Sequence, residues 1–420
     1  AGAFELIVSA LNDVYAPPVV RRTAAAALVQ YGREPQAAIA PLVGALGDES
    51  RSVREAAAAA LGQVGAPALD ATLAALADPA REGGALLALR QLPVQHAAEA
   101  VRHYARAQAA RAVYYHDLVT GLDRALDGAG DVNRLLADSL RDRAQRHAVN
   151  ALRAVSLLGD TEAMGVAIEN LRSRDPNQRA NALETLETIG DAEIIPPVLE
   201  VWEASVSAPR REPAEDDHLL RVMQDPDAWL RACAALAGAN SPDSRVRASL
   251  EHLAQFDPDL FVRATAASAS KGAIAVDTIP TLSPMERILF LRRVPLFADL
   301  SPADLKQVAA VASEQFFPDG EVLFRQGEPG AEMFIVVSGE VRVVVSDEGK
   351  SEEEVARRKA GEYVGEMAII SQEPRMASLV ASGDVRTLCI DQKHFEGILR
   401  ERPETSLAVM RVLCARLREK

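Results

Sequence analysis

The first two thirds of the chain repeat about every 32 residues, and this periodicity constrains the fold more than any other feature. VRRTAAAAL (20–28) returns as VREAAAAAL (53–61), NALRAVSLLGD (150–160) as NALETLETIGD (181–191), and DPDAWLR (225–231) as DPDLFVR (257–263). Each copy places alanine, valine and leucine at helical spacing rather than alternating as in a strand. A period of this length predicts stacked pairs of helices, in which each repeat packs mainly on its neighbours.

Composition agrees with closely packed helices. Aromatic residues are 4% of the chain, so its cores must be built mainly from alanine, leucine and valine. The formal charge of −14 argues against a nucleic-acid binder, which needs a basic face. Cys233, Cys389 and Cys414 are far apart and form no cluster with histidine, so neither a metal site nor a disulfide framework is predicted.

No apolar run reaches the length of a membrane span, and no signal peptide is visible. We therefore expect a cytoplasmic protein, or the cytoplasmic part of a membrane protein. The chain begins with Ala1 directly in helical sequence, which suggests a piece of a longer protein.

The repeats over residues 1–280 resemble HEAT repeats of the short type, with a D…VR…A…AL pattern. Units between 80 and 140 are irregular, and SAPRREPAEDD (207–217) is predicted to be a loop within the array. The resemblance implies an armadillo-like α-solenoid whose extended surface binds a protein partner.

A compact polar cluster in the array raises an enzymatic alternative, because some HEAT-like proteins are chromophore lyases. Its residues are Tyr114, Tyr115 and His116, with His96 and His103 nearby in sequence. Histidines on helices are more often surface or packing residues, so we predict no catalytic residue. The acidic pairs of DPDAW and DPDLF are better explained by helix N-caps at Asp227 and Asp259 than by acid–base chemistry.

The pattern changes after residue 280. Residues 285–313 are still predicted to be helical, with Ser301 as an N-cap and Pro302 at the first helical position. EVLFRQGEPG, MFIVVSGEVRVVVS and RTLCID then combine valine, isoleucine and phenylalanine with glycine turns, which indicates a β-sandwich or barrel. DEGKSEEE (347–354) is predicted to be a charged hairpin tip, and a helix is predicted over 394–420.

GEMAIISQEPRMAS (365–378) has the residue types of a small anion site. Gly365 allows close backbone approach, and a helical turn after it would present unpaired amides to a phosphate. Arg375 offers a fork of donors to the same anion, and Pro374 before it fixes the local backbone. Glu366 cannot face a phosphate favourably, so we expect it to accept from a neutral hydroxyl. An anion beside a hydroxyl describes a nucleotide or a sugar phosphate.

The order of helix, glycine-punctuated strands, GE…PR loop, strands and helix resembles the cyclic nucleotide-binding domain across residues 281–420. VPLFADLSPADL is similar to that family's leading helical motif. Gly320, Gly327 and Gly339 stand where its jelly-roll turns need glycine. The motif of its phosphate-binding cassette is matched by Gly361, Gly365, Glu366 and Arg375. The resemblance implies that the phosphate-binding cassette is 365–378. Its implied contact residues are Gly365, Glu366, Met367, Ala368, Arg375, Met376 and Ala377.

The resemblance also implies the role of each group. Arg375 pairs with the exocyclic oxygens of the cyclic phosphate, Glu366 accepts from the ribose 2′-hydroxyl, and the amides of Ala368 and Met376 donate to the phosphate. Members selective for cGMP often have threonine where this chain has Met376, which favours cAMP as the ligand. The resemblance does not decide which residue caps the base, and the candidates are Leu413, Leu417, Arg416 and a residue of another chain.

These features predict a multidomain, non-catalytic regulatory protein: an all-α solenoid, then a β jelly-roll domain with flanking helices that binds cAMP. HEAT repeats followed by such a domain occur in bacterial proteins fused to an ATP/ADP-carrier-like membrane domain, so the task implied by this resemblance is regulation of transport. The alternatives are a scaffold with a vestigial nucleotide site and a HEAT-type lyase.

Overall fold

The computed structural model describes residues 2–31, 35–125, 130–159, 161–171, 173, 175–189, 191–202, 215–270, 282–298, 300–346, 353–371, 373–401, 406 and 410–411. The chain divides into two compact units, residues 1–120 with 140–210 and residues 121–139 with 211–420. The predicted boundary between the solenoid and the β-domain, near residue 280, falls inside the second unit. This division into domains therefore remains a prediction. None of the helices within the described ranges combines the length and apolarity needed to cross a membrane.

The helices of the first unit follow the predicted repeat. They are α1 Gly2–Asn12, α2 Pro18–Tyr31, α3 Ile39–Ala45, α4 Arg51–Val64, α5 Leu69–Ala75, α6 Glu82–Leu89, α7 Ala98–Ala125, α8 Asp131–Ser156, α9 Thr161–Asn170, α10 Pro176–Ile189 and α11 Ile195–Leu199, of which α7 and α8 continue into the second unit. Short 3-10 turns lie at Pro35–Ala38, Ala66–Ala68, Val94–Ala97 and Glu200–Trp202.

Alanine and leucine make the core of this unit, as the composition predicts. Helix α2 packs on α4, and α4 packs on α6. Ala25 and Leu28 of α2 and Ala57 and Leu61 of α4 are fully buried. Small side chains allow the helix backbones to approach closely, so the equivalent positions of successive repeats form one continuous apolar core.

Arginine–aspartate pairs join successive repeats. Arg21 Nε lies 2.7 Å from Asp48 Oδ2, and its Nη2 lies 2.9 Å from Asp48 Oδ1. Arg231 and Asp257 form the same bidentate pair at 2.7 and 2.9 Å. The arginine and the aspartate of each pair come from consecutive copies of the repeat, so the pair fixes the stacking of neighbours.

The second unit continues the helical array with α12 Glu215–Val222, α13 Ala228–Ala237, α14 Ser244–Phe256 and α15 Leu260–Ala269, and a 3-10 turn at Gly238–Asn240. The predicted N-caps are present. Asp227 accepts from the Trp229 amide at 2.8 Å, and Asp259 accepts from the Phe261 amide at 2.8 Å. The predicted loop 207–217 is too long at its C-terminal end, because helix α12 already begins at Glu215; its residues up to 214 lie outside the described ranges.

The run predicted to be helical over 285–313 forms two helices, α16 Pro284–Arg293 and α17 Pro302–Val311. The hydroxyl of Ser283 accepts from the Glu286 amide and completes a capping box at the start of α16. Ser301 caps α17 as predicted, accepting from the Asp304 amide at 3.2 Å. Ser313 is not helical, because it begins the first strand and pairs with Cys389.

The β-domain is an antiparallel sheet, as predicted. Its strands are β1 Ser313–Phe317, β2 Val322–Phe324, β3 Glu332–Val345, β4 Glu353–Lys359, β5 Tyr363–Val364 and β6 Ser378–Asp391. The path is β1-β6-β3-β4, with β2 paired to β6 and β5 paired to β3. Val336, Val341 and Leu379 are fully buried in its core.

Two helices complete the β-domain, α18 Glu366–Ser371 and α19 Gln392–Glu401. The helix predicted over 394–420 therefore begins two residues earlier, and most residues after 401 lie outside the described ranges. Of the predicted hairpin tip, Glu353 and Glu354 belong to β4, and residues 347–352 are outside those ranges as well. The fold is thus the predicted one: a HEAT-type helical region followed by an antiparallel β-domain with flanking helices.

Candidate functional site

Gly365 stands between β5 and α18 and has a φ of 90°, which favours glycine. A Cβ atom at this position would lie 2.5 Å from Arg375 Nη1 and 3.0 Å from the Glu332 carbonyl oxygen. Both its conformation and its surroundings therefore require glycine. The predicted helical turn after it is present as α18, which begins at Glu366.

The backbone of Arg375 is held against the turn that follows β2. Its amide donates to the Glu328 carbonyl at 2.8 Å, and its carbonyl accepts from the Gly327 amide at 2.8 Å. This pair of hydrogen bonds brings residues almost fifty positions apart in sequence into register. The side chain of Arg375 is consequently aimed into the space between β3 and α18.

The guanidinium of Arg375 is buried without a full set of partners. Nη1 donates to the Gly365 carbonyl at 3.1 Å and Nη2 to the Glu332 carbonyl at 2.6 Å. Nε has no hydrogen-bond partner among the described residues, although the side chain is only 5% exposed. Burial lowers the pKa of Arg375 from its ordinary value, while the nearby Glu332, Cys389, Glu328 and Glu366 oppose that shift. A buried cation whose donors are not all used is suited to bind an anion.

Two further residues complete the surroundings of this guanidinium. Arg375 Cζ lies 4.1 Å from the centre of the Phe324 ring. A Cβ atom on Gly330 would stand 3.0 Å from Arg375 Nε and would collide with Ala368 Cβ. The sequence analysis singled out neither Phe324 nor Gly330. Phe324 is the aromatic residue immediately before the turn RQGEPG (325–330), and this placement was the signal in the sequence that could have identified it.

The other predicted contact residues surround Arg375 at different depths. Glu366 is 5% exposed and begins α18, and Ala368 is buried on the same helix. Met376 is 62% and Met367 40% exposed, and both flank the buried groups. Ala377 is half-buried. Glu366 and Arg375 are thus both buried and near enough for the Glu366 charge to act on the guanidinium, while the two methionines are exposed. The predicted base caps Leu413, Arg416 and Leu417 lie outside the described residues.

Of the residues considered for an enzymatic role, Tyr115 lies in a packed interior, whereas Tyr114 is exposed and His116 is half-buried. Tyr115 is buried and stacks on His147, with ring centres 5.5 Å apart. Burial lowers the pKa of His147 to about 4, and the charges of Arg143, Arg111 and Arg146 add to the shift. His96 and His103 are both exposed on the surface.

A buried polar network lies beside Tyr115. The Glu82 carboxylate accepts from the Tyr104 hydroxyl at 2.8 Å, from Gln108 Nε2 at 2.5 Å and from Asn150 Nδ2 at 2.9 Å. His147 Nδ1 lies 2.6 Å from Gln108 Oε1. These side chains are hydrogen-bonded to one another, which explains why polar residues are found in this interior.

Comparisons with known proteins identify both parts of the chain. Residues 314–402 match the family profile described as a cyclic nucleotide-binding domain, and residues 5–92 match HEAT repeats. A cAMP-dependent protein kinase regulatory subunit from Hypocrea atroviridis is 31% identical over 110 residues, 26% of this chain and 23% of that protein. Human cGMP-dependent protein kinase 2 is 34% identical over 108 residues, 25% of this chain and 14% of that protein.

Among solved structures, the regulatory domain of Toxoplasma gondii PKA with cAMP is similar, with 28% identity and a TM-score of 0.30. It covers 33% of this chain and 50% of that chain. The chain spans less than two thirds of the length of the curated relatives named here. The two regions matched by the family profiles are the first six helices of the array and the sheet that holds Arg375. The protein therefore carries HEAT repeats in its N-terminal part and a cyclic nucleotide-binding domain in its C-terminal part.

Proposed function

We propose that this protein is a non-catalytic regulator that binds cAMP through Arg375 and Glu366. The observation that carries the proposal is the buried guanidinium of Arg375, whose Nε lacks a hydrogen-bond partner within the described ranges. A cyclic phosphate supplies both the negative charge and the missing acceptor. Its exocyclic oxygens are close enough together to accept from one guanidinium edge.

Glu366 complements this anion site by recognising the sugar. A cyclic phosphate occupies the 3′ and 5′ oxygens, so the ribose 2′-hydroxyl is left to donate to a carboxylate. Gly365 brings the backbone close to the ligand, and the amides of Ala368 and Met376 donate to the phosphate. A ligand that has only one of the two groups, a phosphate or a ribose hydroxyl, uses half of the site.

The preference for cAMP over cGMP rests on Met376, which has no hydroxyl to offer to guanine. Met376 follows Arg375 and is 62% exposed, which supports a role at the ligand rather than in the core. Relatives named for cAMP and for cGMP have similar identities to this chain, so the side chain carries this part of the proposal.

Competition calorimetry with both nucleotides tests binding and preference together. We expect tighter binding of cAMP, and Met376→Thr should move the preference toward cGMP by about 1 kcal/mol, the net worth of one hydrogen bond. Equal or tighter cGMP binding by the wild type would overturn the preference. Absence of any binding would favour the alternative of a scaffold with a vestigial site.

We further propose that ligand binding is passed to the HEAT array and its partner through a joint formed by α16 and α17. Lys306 Nζ lies 5.7 Å from the ring centre of Trp229 and 5.9 Å from that of Phe261. Arg292 pairs with Asp138, and Arg293 Nε lies 2.6 Å from Asp131 Oδ2. Helix α17 also packs on α19, which packs on β6, so the joint is in physical continuity with the sheet.

Tryptophan fluorescence tests this route, because the chain has two tryptophans. Trp202→Phe leaves Trp229 as the sole reporter, and its emission should change along the same saturation curve as cAMP binding. Lys306→Met should reduce that change while ligand affinity is retained. Unchanged Trp229 emission at full occupancy would exclude the joint from the route. We propose that the partner bound by the solenoid is a membrane nucleotide transporter, which the solenoid contacts on the cytoplasmic side of the membrane. Co-purification with and without cAMP tests this partner.

A further inference from the structure

The guanidinium of Arg375 rests on an aromatic ring. Phe324 ends strand β2, and the centre of its ring is 4.1 Å from Arg375 Cζ. This distance is well inside the range of about 6 Å over which the face of an aromatic ring attracts a cation. The two residues are about fifty positions apart and meet because β2 and the segment after α18 are neighbours in the same domain.

The ring is fixed from behind by the core of the sheet. Phe324 pairs with Leu379 of β6, at an irregularity in register between Val322 and Phe324. Its ring centre is 5.8 Å from that of Phe334, which lies 6.1 Å from Phe317. The position of the Phe324 ring is therefore set by aromatic packing that does not involve Arg375.

The face of an aromatic ring is a better neighbour than a hydrogen-bonded carboxylate for a buried cation that has to bind an anion. A buried cation costs free energy, and burial does lower the pKa of Arg375. A carboxylate hydrogen-bonded to the guanidinium would offset that cost but would also occupy the N–H groups, whereas Glu332, Glu328 and Glu366 act on Arg375 through their charge without such a bond in the described part of the chain. The negative face of a ring offsets part of the cost and leaves Nε, whose hydrogen-bonding is unsatisfied among the described residues, available.

We propose that Phe324 is a positioning residue for the anion site: its ring holds the Arg375 guanidinium in the orientation that receives the phosphate of the ligand. The proposal rests on the proposed function, because it concerns the same Arg375. It adds that affinity for the phosphate depends on a residue outside the cassette 365–378.

Calorimetric titration of cAMP into three variants tests this role. Phe324→Leu should lower affinity roughly fivefold to thirtyfold, the equivalent of a partly or fully desolvated cation–π contact. Phe324→Tyr keeps the ring face and should stay within about twofold of wild type. Phe317→Leu is the matched control: it removes a ring from the same aromatic cluster without touching Arg375, and its affinity should equal that of wild type.

Two further measurements separate positioning from folding. A ring-fluorinated phenylalanine at position 324 keeps the shape but weakens the negative face, so affinity should fall while the unfolding temperature is unchanged. In an Arg375→Met background, Phe324→Leu should cause no further loss, as measured by ligand-observed NMR at millimolar cAMP.

The outcomes distinguish the two proposals. Wild-type affinity in both Phe324→Leu and the fluorinated protein would overturn the role of the ring and leave cAMP binding intact. An equal loss with and without Arg375 would also overturn it, because the ring would then act through the fold. If the wild type binds neither cAMP nor cGMP, the proposed function fails, and the role of Phe324 fails with it.

Discussion

Arg21 and Arg231 of the helical repeats are held in a different way from Arg375 of the β-domain. Arg21 and Arg231 each form a bidentate pair with an aspartate of the next repeat, at 2.7 and 2.9 Å. The hydrogen bonds that both arginines donate to these aspartates raise the pKa of each guanidinium. Within the part of the chain that the structure describes, Arg375 donates only to backbone carbonyls; its guanidinium rests on a ring, and burial lowers its pKa.

The difference separates structure from binding. An arginine that holds a fold together has its counter-charge encoded in the same chain, 27 residues away for Arg21 and 26 for Arg231. The site around Arg375 fixes the guanidinium with backbone carbonyls and a ring, and among the described residues no carboxylate is hydrogen-bonded to it. We therefore expect substitutions of the first kind to change stability and substitutions of the second kind to change ligand affinity.

The largest expected effect is on the repeat arginine. Arg21→Met leaves Asp48 buried without its partner, which should destabilise the array by about 3–5 kcal/mol. Thermal unfolding measures the loss, and hydrogen exchange should locate it in α2 and α4. The affinity for cAMP should equal that of wild type. A fall in affinity with an intact β-domain would break the distinction between the two arginines.

A smaller effect is expected for Glu366→Gln. An amide oxygen still accepts from the ribose hydroxyl but without the charge, so cAMP affinity should fall by about 1 kcal/mol, or roughly fivefold. The matched control is a ligand rather than a variant: 2′-deoxy-cAMP lacks the hydroxyl, and its affinity should not fall in the variant. An equal loss for both ligands would mean that Glu366 does not bind the sugar.

The smallest effect is a pH dependence of the repeat pairs. The hydrogen bond from Arg231 holds the pKa of Asp257 below its usual range. Because the folded-state pKa is lowered, the stabilisation is complete above the unfolded value of about 3.9 and is lost as pH falls through the folded value. Asp257→Asn should be less stable at neutral pH and should lose less stability on acidification. Parallel pH profiles of the two proteins, obtained by thermal unfolding, would contradict this.

The helical array and the cassette could be predicted because their signals are local. The repeat of VR…AL motifs fixes helices whatever their partners, and Gly365, Glu366 and Arg375 lie within eleven residues of one another. The helix N-caps at Asp227 and Asp259 are local for the same reason and are confirmed.

The groups that act over long distances could not be predicted. Phe324 and Gly330 reach Arg375 only because backbone hydrogen bonds pair the Gly327 turn with Arg375. Lys306 belongs to the helices before the sheet, whereas Trp229 and Phe261 belong to the repeats, so their contact exists only in the folded chain. No spacing rule in a single sequence reports such contacts, since they depend on the tertiary fold. The helical prediction for residues 285–313 was wrong at its C-terminal end, because Ser313 pairs with Cys389 in the sheet.

The central claim is that the Arg375 guanidinium has no carboxylate hydrogen-bond partner among the described residues because a cyclic phosphate takes that place. Calorimetric titration of cAMP into wild type and Arg375→Met, with the unfolding temperature of each ligand-free protein, tests it most directly. Truncating one partner of a buried charge pair costs about 2–5 kcal/mol, so affinity should fall more than tenfold. The ligand-free variant should be at least as stable as wild type, because a buried cation has been replaced by an apolar side chain. Equal cAMP affinity in the two proteins, or a loss of stability like that of Arg21→Met, would contradict the claim.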